Sequence, residues 1–314
     1  MKKDFLTLDD IRREEIFDIF KIAEKLKKRP YNNWLQNKNF ILLFFKHSTR
    51  TRASFQIGIE QMGGKAYFVD GKKTQLVRGE TPEDMANTLE RYTDGMIIRL
   101  SSHKTLERIA KALDKPVINA LSDLAHPCQI LSDLFTIKEK FGSFSGLKLT
   151  YVGDGNNVCN SLLLGCSKVG MDISVACSKG FEPNKDIVKL AKDYTKITKS
   201  KVIVETEPKS AVKDANIIYN DTFISMGDEK EKPKRLKIFI PKYQVTNKLF
   251  KLAVPNAVYM HCLPAHRGEE VTAEVIDGPR SIVFDQAENR LHTQKALLTK
   301  MMVPKYKLLI NTRL

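Results

Sequence analysis

The sequence predicts an α/β protein of two similar domains, each a parallel sheet flanked by helices. Short apolar runs of strand length alternate with longer stretches in which apolar residues recur at helical spacing. This alternation is typical of parallel sheets that carry helices on both faces. The chain has 314 residues, enough for two hydrophobic cores.

The first predicted domain shows this alternation from the beginning of the chain. An opening helix is expected over residues 7–29, with Pro30 after it. Another helix is expected to start at Thr81 and Pro82, because the hydroxyl can cap free N–H groups and proline suits the first turn. The strands are expected at residues 40–45, 65–69, 95–100 and 116–120.

A polar stretch at residues 138–146 predicts the boundary, after which the alternation starts again. Further strands are expected near residues 146–152, 171–176, 201–204, 216–220 and 257–260. A long final helix, about 286–302, is expected to pack back on the first domain. The predicted domains are therefore residues 1–140 with the C-terminal helix 286–314, and residues 141–285. The charged segment 228–237 is expected to be a solvated, mobile loop.

Composition excludes several classes of protein. The formal charge is +15, but the basic residues are dispersed, which favours attraction of anionic substrates over a nucleic-acid interface. The five cysteines form no C-x-x-C pair, so neither a zinc site nor a disulfide framework is predicted. Apolar runs are too short for a membrane span and the N-terminus lacks signal-peptide features, so we expect a cytoplasmic protein without a membrane partner.

Hydroxyls and guanidiniums lie where the first strand passes into a helix. This Ser-Thr-Arg segment consists of Ser48, Thr49, Arg50, Thr51 and Arg52. Free N–H groups at a helix start carry partial positive charge, and arginine forks match phosphate oxygens. The segment predicts a phosphate site without the glycine-rich nucleotide loop. The alternative is a capped surface helix with two solvated arginines.

Other polar residues fall at the carboxyl ends of predicted strands, where ligands bind in such sheets. Arg99 ends one strand, and His126 and Gln129 follow another at a spacing that lets both face one ligand. His126 could equally be a helix cap or a solvated residue.

In the second domain, Gly153-Asp154-Gly155 resembles a dinucleotide turn but lacks the third glycine. Asn156 and Asn157 offer amide donors suited to a carboxylate. The run His-Cys-Leu-Pro at 261–264 follows a strand. It predicts either a structural turn with a buried thiol or a reactive thiol on a rigid turn.

Four motifs occur in order along the chain. They are Ser-Thr-Arg-Thr-Arg at 48–52, His-Pro-Cys-Gln at 126–129, Asp221 with Ser-Met-Gly at 225–227, and His-Cys-Leu-Pro at 261–264. Together they resemble the ornithine branch of the carbamoyltransferase family, from about residue 5 to the C-terminus. The first two motifs are shared with the aspartate enzymes, whereas the last two are similar to the ornithine branch alone.

The resemblance implies an enzyme that transfers the carbamoyl group of carbamoyl phosphate to the δ-amine of L-ornithine, giving L-citrulline and phosphate, in arginine biosynthesis or breakdown. It implies no cofactor, no metal and a homotrimer or a multiple of it. The nearest alternative is a carbamoyltransferase for another amine, such as aspartate or putrescine. Two further alternatives are a basic nucleic-acid-binding protein and a dinucleotide-dependent oxidoreductase.

The resemblance also implies residue roles. Gln75 is expected to reach the phosphate from a neighbouring subunit. Carbamoyl phosphate is expected to be contacted from the second domain by Cys262, Leu263 and Arg290. The implied carbamoyl-phosphate-binding residues are Ser48, Thr49, Arg50, Thr51, Gln75, Arg99, His126, Gln129, Cys262, Leu263 and Arg290.

For ornithine, the resemblance implies Asn157 and the backbone near Met226 at the carboxylate, and Asp221 and Ser225 at the α-ammonium. The catalytic residues expected are Arg99, His126, Asp221 and Cys262. The δ-amine has a lysine-like pKa of about 10, so it must lose a proton before it attacks. We expect the site to lie between the domains and to close on binding.

Overall fold

A computed structural model describes residues 3–224, 229–304, 306 and 310. The chain divides into two compact units. The first takes Met1–Phe135 and Glu288–Leu314, and the second is Thr136–Ala287. Among the described residues, no helix is both long and apolar enough to cross a membrane.

The first unit is a parallel α/β sheet in the strand order β2-β1-β3-β4. Its strands are β1 (Asn39–Phe44), β2 (Lys65–Asp70), β3 (Gly95–Arg99) and β4 (Val117–Leu121). Its helices up to the division are α1 (Arg13–Lys28), α2 (Thr49–Gln61), α3 (Pro82–Glu90), α4 (His103–Ala112) and α5 (Pro127–Phe141), whose last turns belong to the second unit.

The central strand β1 shows why this sheet forms where it does. Every residue from Phe40 to Phe44 is buried, as expected for a strand covered on both faces. The opening helix differs from its prediction, because α1 begins at Arg13. A short 3-10 turn, Leu8–Asp10, precedes it and is capped by the hydroxyl of Thr7.

The second unit is also a parallel sheet, in the order β7-β6-β5-β8-β9. Its strands are β5 (Lys148–Val152), β6 (Asp172–Ala176), β7 (Val202–Glu205), β8 (Ile217–Asn220) and β9 (Val258–His261). Its helices are α6 (Asn157–Val169), α7 (Lys185–Thr198), α8 (Pro208–Val212), α9 (Lys232–Phe239), α10 (Asn247–Phe250) and α11 (Ala273–Ile276). The predicted fold class, two flanked parallel sheets, is confirmed.

Residues 232–237, predicted to lie in a solvated loop, instead begin helix α9. The prediction is wrong because Arg235 and Phe239 face inward and are buried. Pro233 lies in the first turn, where a missing N–H costs nothing. Residue 228, the start of the predicted loop, lies outside the described residues.

The last helix, α12 (Val283–Met302), packs on the first unit, as predicted for the C-terminal helix. Lys295 on α12 is fully buried and donates from Nζ to the Pro30 carbonyl oxygen at 2.7 Å and to Gln61 Oε1 at 2.8 Å. A Cβ at Gly58 would lie only 2.9 Å from Lys295 Cγ, so glycine on α2 allows this close approach.

Candidate active site

The Ser-Thr-Arg segment forms the first turn of α2, directly after β1. Ser48 is the N-cap, and its hydroxyl oxygen accepts from the backbone N–H of Thr51 at 3.3 Å. Thr49 and Arg50 are exposed. The start of α2 therefore presents its partial positive charge and the Arg50 guanidinium to solvent, as an anion site requires.

Arg290 joins two of the predicted motifs in the first unit. Its Nη2 donates to Thr51 Oγ1 at 3.0 Å, and its Nη1 donates to Gln129 Oε1. All three side chains are buried. We call Thr51, Gln129 and Arg290 the Arg290 cluster.

The expectation that Arg290 acts from the second domain is wrong. Arg290 lies on the part of α12 that belongs to the first unit. Its partners are 239 and 161 positions earlier in the chain, so local sequence patterns could not reveal the contacts.

His126 and Arg99 are buried in the same unit. Burial lowers the pKa of His126 well below its usual value, and the charges of Arg290 and Arg99 lower it further. The imidazole is therefore neutral near pH 7. A neutral imidazole has one N–H to donate and needs no proton from solution to polarise a carbonyl oxygen.

A cavity of about 540 Å³ lies beside the start of α2. Ser48 and Thr49 line it on one side, with Ile57 and Phe68 among its apolar residues. The Arg52 guanidinium lies 3.7 Å from the centre of the Phe68 ring, within cation–π range. Arg52 thus contacts an aromatic ring and lines a different surface from the buried Arg290 cluster.

Gln75 lies on the surface of the first unit. It begins an exposed 3-10 turn, Gln75–Arg78, in which Val77 is 69% exposed. Its side chain faces away from the core of its own unit, so a role toward a neighbouring subunit stays a prediction.

Asp221 organises the predicted amino-acid site in the second unit. Its Oδ2 accepts from Asn156 Nδ2 at 2.7 Å, and its Oδ1 accepts from the Cys262 thiol at 3.0 Å. The backbone N–H of Thr222 also donates to Oδ1, at 2.8 Å. We call Asn156, Asp221 and Cys262 the Asp221 cluster. Asp221 and Cys262, both expected catalytic residues, are thus in contact.

Asn156 was predicted only to offer an amide donor suited to a carboxylate, and the resemblance assigned it no role. Its Oδ1 caps α6 by accepting from the N–H groups of Val158 and Cys159, which leaves Nδ2 for Asp221. The cap could be predicted from sequence, but its contact with Asp221, 65 residues away, could not. Asn157 is half-buried at the first position of α6. Ser225 and Met226 lie outside the described residues.

The turn at Gly153-Asp154-Gly155 has an internal structural role. A Cβ at Gly155 would lie 2.2 Å from Pro183 N, so packing alone requires glycine. The Asp154 carboxylate pairs with Arg235 of α9. These contacts explain why glycine and aspartate occur in this turn without any dinucleotide ligand.

His261 holds the backbone that follows β9. Its Nδ1 accepts from the Leu263 N–H at 2.9 Å, and its Nε2 lies 3.3 Å from Glu270 Oε1. Leu263 has a φ of 57°, which is uncommon for a residue with a side chain. Asp221, His261 and Cys262 lie close enough to hold a metal ion. However, both His261 nitrogens already face protein atoms.

The chain is similar to known proteins over almost its whole length. Residues 3–139 match the carbamoyl-P binding domain of aspartate/ornithine carbamoyltransferases, and residues 145–301 match their Asp/Orn binding domain. An ornithine carbamoyltransferase of Bacillus cereus is 51% identical over 299 residues, covering 95% of this chain and 94% of that protein. One from Methanosarcina acetivorans is 48% identical over 96% of this chain and 100% of its own length.

Solved structures agree with these sequence matches. Ornithine carbamoyltransferase from Pyrococcus furiosus superposes with a TM-score of 0.91 at 46% identity, covering 94% of this chain and 95% of that one. The anabolic enzyme from Campylobacter jejuni superposes with a TM-score of 0.90 at 38% identity, covering 95% and 98% of the two chains.

Proposed function

Because this chain belongs to the aspartate/ornithine carbamoyltransferase family, we propose that the Arg290 cluster serves carbamoyl phosphate and the Asp221 cluster serves ornithine. The chain is a carbamoyltransferase that transfers the carbamoyl group of carbamoyl phosphate to L-ornithine. The observation that carries the assignment of residues is the hydrogen bonding of Arg290 to both Thr51 and Gln129, which joins two separate family motifs.

The phosphate of the first substrate is assigned to residues 48–51. The open N–H groups of α2, the hydroxyls of Ser48 and Thr49 and the guanidinium of Arg50 are donors that suit phosphate oxygens. Arg99, Arg290 and Gln75, the last from a neighbouring subunit, add to this set. Carbamoyl phosphate binding is thereby assigned to residues 1–140 and 286–314.

The carbonyl oxygen of carbamoyl phosphate gains negative charge when the amine attacks. Thr51, Arg99 and the neutral His126 are assigned as its donors, because fixed donors in a buried site stabilise a developing oxyanion. The Gln129 carboxamide oxygen accepts from the carbamoyl NH2. Cys262 and Leu263 are also assigned to the carbamoyl group. The hydrogen bond from the Leu263 N–H to His261 Nδ1 holds the Leu263 backbone in place.

Ornithine binding is assigned to residues 141–285. Asp221, Ser225 and Met226 are proposed for the α-ammonium and carboxylate end, together with Asn157 at the start of α6. Asp221 accepts from both Asn156 and Cys262, so its carboxylate orientation is fixed before the substrate arrives. Cys262 then positions the δ-amine, or takes its proton while the thiol proton passes to the Asp221 carboxylate.

The reaction forms one nitrogen–carbon bond and breaks one carbon–oxygen bond. The δ-ammonium loses one proton to the hydrogen-bonded pair of Cys262 and Asp221, and the lone pair of the resulting amine attacks the carbamoyl carbon to form a nitrogen–carbon bond. The carbon–oxygen bond to phosphate then breaks, and phosphate leaves with the electron pair. The nitrogen loses a second proton, which the departing phosphate can accept. The arginines stabilise the leaving group, and the steps use only the two substrates and protein side chains.

A trimeric assembly, a cytoplasmic location and a role in arginine metabolism are proposed from the family alone. Exposed apolar residues support assembly, since Ile57 on α2 is 48% exposed and Tyr67 on β2 is 52% exposed.

The test is a colorimetric assay for carbamoylated product with carbamoyl phosphate and, in parallel, ornithine, aspartate and putrescine. Turnover is expected with ornithine and only background with the other two amines. Preferred turnover of putrescine or aspartate would overturn the ornithine assignment, while inactivity with all three would overturn the enzyme function.

A further inference from the structure

Gln129 carries an amide whose two ends are chemically opposite, so its orientation decides what it offers a ligand. The oxygen accepts hydrogen bonds and the NH2 donates them. In this structure Oε1 accepts from Arg290 Nη1, and Nε2 donates to Asp133 Oδ1 at 2.8 Å. Asp133 is fully buried, one turn after Gln129 on α5.

Both neighbours favour the same orientation. A guanidinium has only donors, so it requires the amide oxygen; a carboxylate has only acceptors, so it requires the NH2 group. The two contacts are redundant while Arg290 stays on Gln129. If an arriving phosphate ester draws Arg290 away, the contact with Asp133 still keeps Nε2 turned inward and leaves Oε1 able to accept.

We propose that Asp133 is a positioning residue that holds the oxygen of Gln129 toward the carbamoyl group and so selects a phosphate ester that carries NH2 over one that carries CH3. This rests on the function proposed above. Carbamoyl phosphate and acetyl phosphate differ in this one group. A buried acceptor that loses its donor rejects the methyl analogue, because the acceptor is then left unpaired.

The first test is Asp133→Asn, which preserves shape but offers Gln129 both a donor and an acceptor. The side-chain amide of Gln129 can then rotate and exchange the positions of its oxygen and NH2 when Arg290 leaves it. We expect kcat/KM for carbamoyl phosphate to fall by about tenfold, and KM for ornithine to stay within about twofold. The preference for carbamoyl phosphate over acetyl phosphate, measured as the ratio of their binding constants, should shrink by a similar factor.

The second test separates positioning from folding. The double variant Gln129→Glu/Asp133→Asn keeps the summed charge of the pair and reverses its hydrogen bond, with the asparagine amide as donor. Position 129 again presents only oxygen toward Arg290 and the substrate. We expect the double variant to recover most of the lost carbamoyl-over-acetyl preference, which a merely structural role of Asp133 would not restore.

The results are separable. If the unmodified protein makes no citrulline, the proposed function fails. If it does, and Asp133→Asn keeps both the turnover and the preference for carbamoyl phosphate, the positioning role is wrong. A folded Asp133→Asn variant whose loss is not repaired by the second substitution would also overturn it. A variant that does not fold is assessed by the double variant, whose acceptor geometry is preserved.

Discussion

At the residue scale, buried charge sets the protonation of the site. His126 lies near two arginines and is cut off from water, which keeps its imidazole neutral. The unfolded chain has an ordinary histidine pKa of about 6.5 and binds a proton below it, whereas the folded chain does not. Because the folded state keeps His126 unprotonated, the free energy of unfolding decreases as the pH falls below about 6.5.

We predict that His126→Gln reduces the fall in unfolding free energy at low pH, since glutamine keeps a hydrogen-bond donor but does not titrate. At pH 5 the unmodified protein should have lost about 2 kcal/mol of unfolding free energy, relative to pH 7.5, that the variant retains. Urea unfolding of both proteins at the two pH values measures the difference. Equal losses in both would show that His126 is protonated in the folded state.

Cys262 acts in our account as a hydrogen-bond donor to Asp221. Cys262→Ser keeps a donor of similar size, so turnover should drop by about tenfold without vanishing, and Cys262→Ala should lose more. Steady-state citrulline assays compare the two variants. Mass spectrometry of the unmodified protein in turnover should show no carbamoyl adduct, and a trapped thioester would instead make the thiol a nucleophile.

At the element scale, most of the secondary structure could be predicted from the sequence, but one helix could not. The strands lie within one or two residues of their predicted positions, because buried strands read as apolar runs. Helix α9 was missed because it is short, contains a proline and carries many charges. The burial and long-range contacts of Arg235 and Phe239 show that it is packed.

Arg235 anchors α9 to three other segments. Its Nε donates to the Phe223 carbonyl oxygen at 2.7 Å, it pairs with Asp154, and it lies 4.9 Å from the centre of the Phe181 ring. Arg235→Met leaves Asp154 poorly paired in a largely buried position. We expect it to cost about 3–5 kcal/mol of unfolding free energy and to raise KM for ornithine more than KM for carbamoyl phosphate.

Denaturant unfolding and steady-state kinetics measure both effects. The control is Arg108→Met, which breaks the exposed pair with Glu83 and should leave the unfolding midpoint nearly unchanged. A midpoint shift no larger for Arg235→Met than for the control would contradict the anchoring role.

At the scale of the whole molecule, the sequence predicted the fold class and the motifs but not how they meet. The Arg290 cluster joins residues from α2, α5 and α12, and the Asp221 cluster joins turns 65 and 41 residues apart. Such contacts depend on the tertiary fold, so the contact of Asn156 with Asp221 could not be predicted from local spacing. The resemblance named Arg290 but placed it in the second domain, whereas it belongs to the first unit.

The exposed position of Gln75 leads to a prediction about assembly. If it completes a neighbour's site in a ring of three subunits, co-expressed Gln75→Ala and Arg50→Ala chains should regain activity. About a quarter of the sites in random hybrids would have both residues intact. Co-expression of Arg50→Ala with Arg99→Ala, both from the same subunit, is the control and should stay inactive. Equal, negligible activity in both mixtures would place Gln75 outside the neighbour's site.

The central claim is that the Arg290 cluster serves carbamoyl phosphate and the Asp221 cluster serves ornithine. Calorimetric titration of carbamoyl phosphate, without ornithine, into Arg290→Met and Asp221→Asn tests it most directly. We predict that Arg290→Met weakens binding by about a hundredfold or more, whereas Asp221→Asn binds within about threefold of the unmodified protein. Unchanged affinity in Arg290→Met, or an equal loss in Asp221→Asn, would contradict the account.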